Sequence, residues 1–294
     1  NEKGATIDGI TCASKIMGEF VVKIKTNYQV VLDTCGTGGD KKNTFNISTV
    51  TAIVVAGAGC VVAKHGNRSV SSKCGSADIL EALGVNIHVE ETHMQECLDE
   101  VGLAFLFAQK LHPAMKNVAP IRQELGVETI FNVLGPLTNP AKATHQIMGV
   151  YHRDLVEPMA KVLANLGLKR AMVVHGGDGL DEITTTTQTY ISEFNGQEIL
   201  SYHISPEELG LELAAPEDLE GGEIDKNVKI VEDILNGESG PKRDVVVLNA
   251  GYALYVAEIV DSINEGIKLA AATLDDGLAK QKLKALKEFT SRGT

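Results

Sequence analysis

Two polar, glycine-rich stretches of the chain could bind anions through main-chain amides. The first, GTGGD at residues 36–40, follows the apolar run 30–32, which places it at the C-terminal end of a predicted strand. Glycine tolerates positive φ and lets backbone N–H groups approach a ligand closely. Asn46, Ser48 and Thr49 then begin an apolar segment whose helix N-terminus would add free amides and a positive dipole end. The pattern matches neither the dinucleotide-binding nor the Walker fingerprint, and by itself it could be a capped turn.

The second stretch, KHGNRSVSSKCGSAD at residues 64–78, follows the apolar run 60–63. It contains more cationic, amide and hydroxyl side chains than is usual for a solvated loop after a buried strand. Lys64 and Arg68 could supply positive charge to an anion held there. Two phosphate-binding loops so close in sequence indicate a ligand with two phosphorylated ends.

The segments on either side of these loops have the sequence pattern of an α/β fold. Short β-branched runs at 29–33, 60–63, 85–89, 104–108, 146–151 and 171–175 are separated by helix-length segments, which predicts a mainly parallel sheet flanked by helices. The carboxyl ends of parallel strands are where such sheets bind ligands.

Other segments predict the surroundings of the sheet. Residues 5–22 have the spacing of an amphipathic helix, and residues 113–126 begin with proline and end with glycine as helices do. The pattern of residues 187–204 predicts a β-hairpin with its turn at Asn195-Gly196. The acidic segment 206–224 predicts a surface excursion, and residues 226–292 predict two or three helices that close the sheet.

Charge and cysteine usage limit the function classes. The formal net charge of −12 disfavours nucleic acid as the main partner, because duplex binding requires clustered cations. A phosphate site in such a chain must be made locally positive by backbone dipoles, Lys64, Arg68 and a bound divalent metal. The five cysteines form no CxxC pair, no membrane span is credible, and residues 1–10 lack a secretory pattern, so we expect a cytoplasmic protein.

The ordered motifs along the chain resemble the anthranilate phosphoribosyltransferase family. They are GTGGD at 36–40, NIST at 46–49, KHGNRSVSS at 64–72, GSAD at 75–78, RQELGVETIFNVLGPLTNP at 122–140 and VHGGDGLDEITTTT at 174–187. The resemblance implies a small all-helical lobe, formed by residues 1–27 and about 112–136, beside a large α/β lobe formed by residues 28–111 and 137–294. It also implies a pentosyltransferase that joins the amine of anthranilate to C1 of 5-phosphoribosyl 1-diphosphate and releases pyrophosphate in tryptophan biosynthesis.

By the same resemblance, both stretches bind the phosphoribosyl diphosphate. The implied residues are Gly36, Thr37, Gly39, Asp40, Thr44, Asn46, Ile47, Ser48, Thr49, Lys64, His65, Gly66, Asn67, Arg68, Ser71, Ser72 and Ser76. Pyrophosphate would be bound by 36–40 and 46–49, and the 5'-phosphate by 64–72 and Ser76.

Metal and acceptor residues are implied in the same way. Asp181, Glu182 and Ser48 would bind Mg²⁺, because hard oxygen ligands suit a cation that bridges diphosphate oxygens. Gly36, His65, Asn67 and Arg122 would contact anthranilate, with Arg122 pairing its carboxylate. We assign His65 a contact role rather than that of a general base, and we expect no protein nucleophile.

The sequence leaves the oligomeric state and two rival functions undecided. The family's first helices, which precede the segment matched by Asn1 and help to form a homodimer, are not present in these 294 residues, and a glutamine amidotransferase domain or partner is possible. The nearest rival enzyme is a pyrimidine nucleoside phosphorylase. The rival from another class is an inactive relative that binds single-stranded nucleic acid.

Overall fold

A seven-stranded sheet forms the centre of the computed structural model, which describes residues 5–69, 73–113 and 129–292. The strands are β1 Leu32–Thr34, β2 Val62–Gly66, β3 Leu103–Phe107, β4 His145–Gly149, β5 Arg170–Gly176, β6 Thr189–Phe194 and β7 Ile199–Ile204. Their order is β3-β2-β1-β4-β5-β6-β7, with β1 to β5 parallel and β6 and β7 antiparallel. The predicted mainly parallel sheet is confirmed.

Helices cover both faces of this sheet. They are α1 Ile7–Glu19, α2 Ile47–Gly57, α3 Ser76–Ala82, α4 Glu91–Val101, α5 Ala108–Leu111, α6 Phe131–Leu134, α7 Val156–Asn165, α8 Ile224–Leu235, α9 Pro241–Val256, α10 Ile263–Asp275 and α11 Leu278–Thr290. Short 3₁₀ turns lie at Gly135–Leu137, Arg153–Leu155, Pro206–Leu209 and Pro216–Leu219.

The order of the strands reverses at β1, and this reversal locates the ligand site. The chain runs from β1 outward to β2 and β3, then returns to place β4 and β5 on the other side of β1. An open α/β sheet binds its ligands at such a switch point, in the crevice outside the carboxyl ends of the strands. The loop after β1, the loop after β2 and the Asp181-Glu182 segment after β5 all lie at this edge.

The helix Ile47–Gly57 is the central helix of one face. It is apolar around its whole circumference and almost entirely buried, as expected for a helix enclosed by other elements rather than one at a surface. It packs between the sheet and the helices Pro241–Val256 and Leu278–Thr290. The N-terminus of this rigid helix therefore presents Asn46 and Ser48 to the switch point.

A second apolar cluster covers the opposite face. Ile10 of α1 packs with Val133 and Leu137, and this group contacts Met159 of the helix Val156–Asn165 and Val173 of β5. The amphipathic helix expected within residues 5–22 is confirmed as Ile7–Glu19. The helix expected at 113–126 lies mostly outside the described residues.

Three local predictions need correction. Residues 85–89 are not a strand, because the amide of Asn86 donates to Thr290 Oγ1 and that of His88 to Asn86 Oδ1 instead of joining a ladder. The C-terminal region has four helices rather than two or three. The segment 206–224 is not wholly a surface excursion: Leu219 is buried, and its carbonyl accepts from Phe45 N beside the first glycine loop. The hairpin at 187–204 is confirmed.

Candidate active site

The first glycine loop is attached to the neighbouring strand β4. Thr37 N donates to Gly149 O at 2.9 Å, and Thr37 Oγ1 accepts from Tyr151 N at 3.1 Å. Gly38 and Gly39 have φ of +63° and +82°, so the positive φ expected there is confirmed at these two glycines. The loop therefore closes over the end of β4, and the Thr37 amide is already used within the protein.

Asp181 and Glu182 join the two elements that were predicted to bind pyrophosphate. Asp181 Oδ2 accepts from Gly38 N at 2.8 Å, in the first glycine loop. Glu182 Oε1 accepts from Ser48 N at 3.2 Å, at the N-terminus of the helix Ile47–Gly57. Two carboxylates thus contact amides that would otherwise be available to an anion.

These two carboxyl groups are held in an environment that disfavours their charge. Burial, with the charge of the nearby Asp40 carboxylate as the next cause, raises the pKa of Asp181 to about 7. Burial likewise raises the pKa of Glu182 to about 8, with the charge of Asp181 as the next cause. Three carboxylates crowded at one place are more stable with a cation among them.

The donor set fits a hard divalent cation. Asp181 and Glu182 supply carboxylate oxygens, Asp40 lies beside Asp181, and the Ser48 hydroxyl belongs to the residue whose amide contacts Glu182. Mg²⁺ prefers oxygen ligands of this kind and usually binds through one or two carboxylates together with phosphate oxygens. The residues predicted as metal ligands are therefore brought together.

Lys64 supplies the positive charge beneath the site. Its side chain extends from β2 and is buried, with the residue only 3% exposed. Nζ donates to Thr34 O at 2.9 Å and lies 3.4 Å from both Thr34 Oγ1 and Ser48 Oγ. Its charge opposes the burial-induced rise in the pKa of both Asp33 and Glu182.

The second loop is closed by its own hydrogen bonds. Ser76 Oγ accepts from Asn67 N and donates to Asn67 O, each at 3.1 Å. Asp78 Oδ2 accepts from Ser69 N at 3.1 Å and from Gly75 N at 2.9 Å. Ser76, predicted to bind phosphate, therefore also holds the loop in shape.

Arg68 forms ion pairs with two acidic residues. Its Nη1 atom lies 2.7 Å from Asp78 Oδ1 and 2.9 Å from Glu81 Oε2. The guanidinium also lies 5.7 Å from the centroid of the Phe107 ring. Of the two cations predicted for the site, Lys64 is the one directed at the metal-ligand residues.

The two loops open on the same side of the sheet. Asn46 Nδ2 donates to Cys74 O at 2.9 Å, which ties the start of the helix Ile47–Gly57 to the second loop. Thr34 Oγ1 donates to Ser48 O at 3.1 Å, which ties it to the end of β1. A ligand with two phosphorylated ends could therefore contact both loops at once.

His65 projects from β2 on the face opposite Lys64. Its Nε2 atom lies 3.0 Å from His112 Nε2, and its backbone amide donates to Asp33 Oδ1 at 3.1 Å. Burial lowers the pKa of His65 to about 3 and that of His112 to about 4. An imidazole with so low a pKa is a weak base near neutral pH, so the ring suits a contact role better than general-base work.

The remaining predicted residues differ in how they are placed. Ile47 and Thr49 are buried, so a contact from Ile47 could involve its main chain only. Thr44 pairs through its backbone with Glu220. Gly66 has no room for a side chain, since a Cβ would lie 2.3 Å from Ser76 Oγ. Ser71, Ser72 and Arg122 lie outside the described residues and stay predictions.

Several residues that shape the site were missed from the sequence. Asp33 is fully buried and accepts from Asn139 Nδ2 at 2.7 Å. A Cβ on Gly149 would lie 1.5 Å from Asp181 O, so this close approach requires glycine. Asn249 binds the backbone beside Glu182. A polar residue inside an apolar run, as in VVVLNAGYAL, was the signal for Asn249.

No activated thiol lies among these groups. Burial and then the charge of Asp33 raise the pKa of Cys35, and burial raises the pKa of Cys74. None of the five cysteines, all of which lie within the described residues, is part of a disulfide. None of the described helices is long and apolar enough to cross a bilayer.

Comparison with known proteins agrees with this geometry. Residues 28–280 match the model of the glycosyl transferase family a/b domain. The chain is 55% identical to an anthranilate phosphoribosyltransferase of Acetivibrio thermocellus, over 98% of this chain and 84% of that protein. It is 52% identical to that of Persephonella marina, over 99% and 86%.

Solved structures give the same result. The anthranilate phosphoribosyltransferase of Thermus thermophilus matches with a TM-score of 0.93 and 42% identity, covering 98% of this chain and 86% of that one. The Saccharomyces cerevisiae enzyme in complex with PRPP and Mg matches with a TM-score of 0.90 and 28% identity, covering 98% and 81%. The chain therefore belongs to the anthranilate phosphoribosyltransferase family.

Proposed function

We propose that this chain transfers the phosphoribosyl group of 5-phosphoribosyl 1-diphosphate to the amine of anthranilate. The products are N-(5-phosphoribosyl)anthranilate and pyrophosphate, in a step of tryptophan biosynthesis. One observation carries the proposal: Asp181 and Glu182 contact both Gly38 N and Ser48 N, so metal ligands and phosphate-binding amides share one site. The yeast structures with PRPP and Mg and with 4-fluoroanthranilate support these substrates.

The reaction is a substitution at the anomeric carbon. The nitrogen lone pair of anthranilate forms the bond to C1 as the C1–O bond to pyrophosphate breaks, and the nitrogen then loses a proton. Such substitutions pass through an oxocarbenium-like state, so stabilisation of the departing polyanion is the main requirement. An aniline nitrogen is neutral near pH 7 and needs little base assistance before it attacks.

The chain's contribution is electrostatic and positional. Amides of the loop 36–40 and of the helix start 46–49 would bind the pyrophosphate, and Lys64 would add a fixed positive charge 3.4 Å from Ser48 Oγ. Bound Mg²⁺, held by Asp181, Glu182 and Ser48, would neutralise the developing negative charge on the leaving group. The second loop, with Asn67, Arg68 and Ser76, would bind the 5'-phosphate.

The acceptor pocket would lie on the face of the sheet that carries His65. The neutral rings of His65 and His112, Asn67 and the main chain at Gly36 would contact anthranilate, and Arg122 would pair with its carboxylate. The low pKa of His65 supports a contact role, because an imidazolium beside the oxocarbenium-like sugar would oppose catalysis.

We further propose the two-lobe organisation that the resemblance implies. The shared apolar cluster of Ile10 and Val133 supports it, since it brings residues 1–27 against the region around 112–136. Met159 and Val173 belong to the same cluster, so this helical unit packs on the large lobe. A homodimer, an amidotransferase partner and a cytoplasmic location are proposals of the same kind. Each rests on the family rather than on a contact described here.

The direct test is turnover. Anthranilate fluorescence should fall when the purified chain receives phosphoribosyl diphosphate and Mg²⁺, with one pyrophosphate released per anthranilate consumed. The Asp181→Ala/Glu182→Ala variant should lose nearly all turnover while it keeps a cooperative melting transition. Phosphorolysis of uridine or thymidine without anthranilate turnover would support the phosphorylase instead. A shift of labelled single-stranded DNA without pyrophosphate release would support the nucleic-acid-binding alternative.

A further inference from the structure

The backbone that carries the acidic pair has no regular structure to hold it. Residues 177–188, between β5 and β6, form neither helix nor strand. Asp181 and Glu182 lie in the middle of this segment, and their charges repel each other and Asp40. Something other than a hydrogen-bonded ladder must therefore fix their position.

Asn249 binds both backbone groups of the residue that follows the pair. Its Oδ1 accepts from Ile183 N at 3.0 Å, and its Nδ2 donates to Ile183 O at 2.7 Å. Nδ2 also donates to Val245 O at 2.8 Å, one turn earlier in its own helix. All three hydrogen bonds are buried, and Asn249 is only 2% exposed.

The helix that carries Asn249 is a rigid support. Pro241–Val256 is a helix of 16 residues whose side chains from Val245 to Leu254 are buried. It packs on the helix Ile47–Gly57, whose N-terminus carries Ser48. Asn249, Ser48 and Glu182 also line the same small cavity. One packed pair of helices thus holds Ser48 directly and Glu182 through Asn249.

The first part of the segment has a different support. Asp178 accepts from Leu180 N, Thr184 Oγ1 and Thr186 Oγ1, at 3.0, 2.8 and 2.6 Å. These contacts shape the segment internally but do not connect it to the helices. Among the described residues, Asn249 is the helix side chain that hydrogen-bonds the backbone beside Glu182.

We infer that Asn249 is a positioning residue for the metal-binding pair. By fixing the main chain of Ile183 it places the Glu182 carboxylate beside Ser48 against the repulsion of Asp181 and Asp40. Without it, the Glu182 oxygens would no longer be held at the distance a divalent cation requires. The inference rests on the proposed metal role of Asp181 and Glu182.

The test measures metal binding directly, with Mn²⁺ as the probe and water-proton relaxation as the readout. Asn249→Ala should raise the dissociation constant for Mn²⁺ at least about tenfold, as loss of an outer-shell support usually does. The Mg²⁺ concentration for half-maximal turnover should rise in parallel. The KM for anthranilate should stay within about twofold, because the proposed acceptor contacts His65 and His112 lie on the face of the sheet opposite Lys64.

A matched variant separates positioning from general destabilisation. Thr290→Ala also removes a buried hydrogen-bonding side chain, which accepts from Asn86 N and donates to Leu286 O in the C-terminal helix. It should lower the melting temperature without changing Mn²⁺ affinity. If Asn249→Ala does not fold, Asn249→Ser should show the same weakening of Mn²⁺ binding.

Two outcomes would overturn the inference, and only the second would also overturn the metal assignment. If Asn249→Ala loses stability but binds Mn²⁺ as the unmodified chain does, Asn249 is structural only, and the proposed function is unaffected. If Asp181→Asn/Glu182→Gln also binds Mn²⁺ normally, the metal assignment itself is wrong and the inference fails with it.

Discussion

Glu182 Oε1 accepts a hydrogen bond of 3.2 Å from the amide of Ser48, a residue 134 positions earlier in the chain. The contact joins an acidic loop after β5 to the N-terminus of a buried helix after β1. It places a carboxylate at the positive end of a helix, where either an anion or a metal-bridged phosphate is stabilised. The proposed metal and pyrophosphate site depends on this contact.

A methyl group at Gly149 should displace the acidic pair. In Gly149→Ala the new Cβ would lie 1.5 Å from Asp181 O, so the loop must move. Misplacement of catalytic groups by about 1 Å can cost roughly a hundredfold in rate, and we expect a loss of kcat/KM of that order. Steady-state kinetics would measure it.

Gly18→Ala serves as the control for that substitution. Gly18 lies in the helix Ile7–Glu19, and a Cβ there meets nothing within 4 Å. Its kinetics should match those of the unmodified chain. Equal activity of Gly149→Ala would mean that the backbone at Asp181 need not be where the structure has it.

Loss of the buried lysine should destabilise the fold. Lys64→Met removes the positive charge that Asp33 and Glu182 face, and uncompensated buried charges typically cost about 3–5 kcal/mol. The KM for phosphoribosyl diphosphate should also rise. Urea unfolding and kinetics would measure the two effects.

Lys161→Met serves as the control, because it breaks an exposed ion pair with Glu157 and should cost only about 0–1 kcal/mol of unfolding free energy. Equal losses of stability in the two variants would contradict the role of Lys64.

Without metal, the protein should become less stable as the pH rises from about 5 to 8. Burial raises the pKa of Asp181 to about 7 and of Glu182 to about 8, above the ordinary values of 3.8 and 4.5. In this range the folded state binds protons that the unfolded state has released, so deprotonation favours unfolding. We expect the melting temperature to fall by roughly 2–4 °C for each kcal/mol lost.

The isosteric variant Asp181→Asn/Glu182→Gln isolates that effect. It removes both titrating groups, so this part of the pH dependence should disappear, while contributions from the rest of the chain remain. Added Mg²⁺ should also reduce the slope in the unmodified chain. Identical slopes in the two proteins would show that these carboxyl groups ionise normally.

The His65–His112 pair should stay neutral throughout the working pH range. A contact of 3.0 Å between two Nε2 atoms needs a hydrogen on one of them only, and burial lowers the pKa values to about 3 and about 4. Nitrogen-15 NMR of labelled histidines should therefore show no titration of either ring above about pH 5. A midpoint near 6.5 for His65 would reopen its role as a general base.

The sequence predicted those parts of the site that local chemistry determines. Glycine loops after strands, the helix start at Asn46 and the Asn195-Gly196 turn all carry short-range signals, and each is found where it was expected. The run 85–89 misled because alternating Val85, Ile87 and Val89 do resemble a strand. The amide of Asn86, which lies between them, instead donates to the side chain of Thr290, a contact that no local pattern reveals.

Long-range contacts account for what was missed. Gly38 meets Asp181 across 143 residues, and Asn249 meets Ile183 across 66. The requirement for glycine at position 149 likewise depends on the path of a loop that follows another strand. Sequence patterns indicated which residues carry the chemistry, whereas the packing of helices and loops decides which amides and carboxylates meet.

Whether metal and pyrophosphate share the site of Asp181 and Glu182 can be seen in an anomalous-scattering experiment on crystals that contain phosphoribosyl diphosphate and Mn²⁺ in place of Mg²⁺. We expect an anomalous peak about 2.1 Å from oxygens of Asp181 or Glu182. That ion should also contact diphosphate oxygens lying on the amides of residues 36–40, with the 5'-phosphate on the loop after β2. A diphosphate bound away from these amides, or a metal without contact to either carboxylate, would contradict the proposed site.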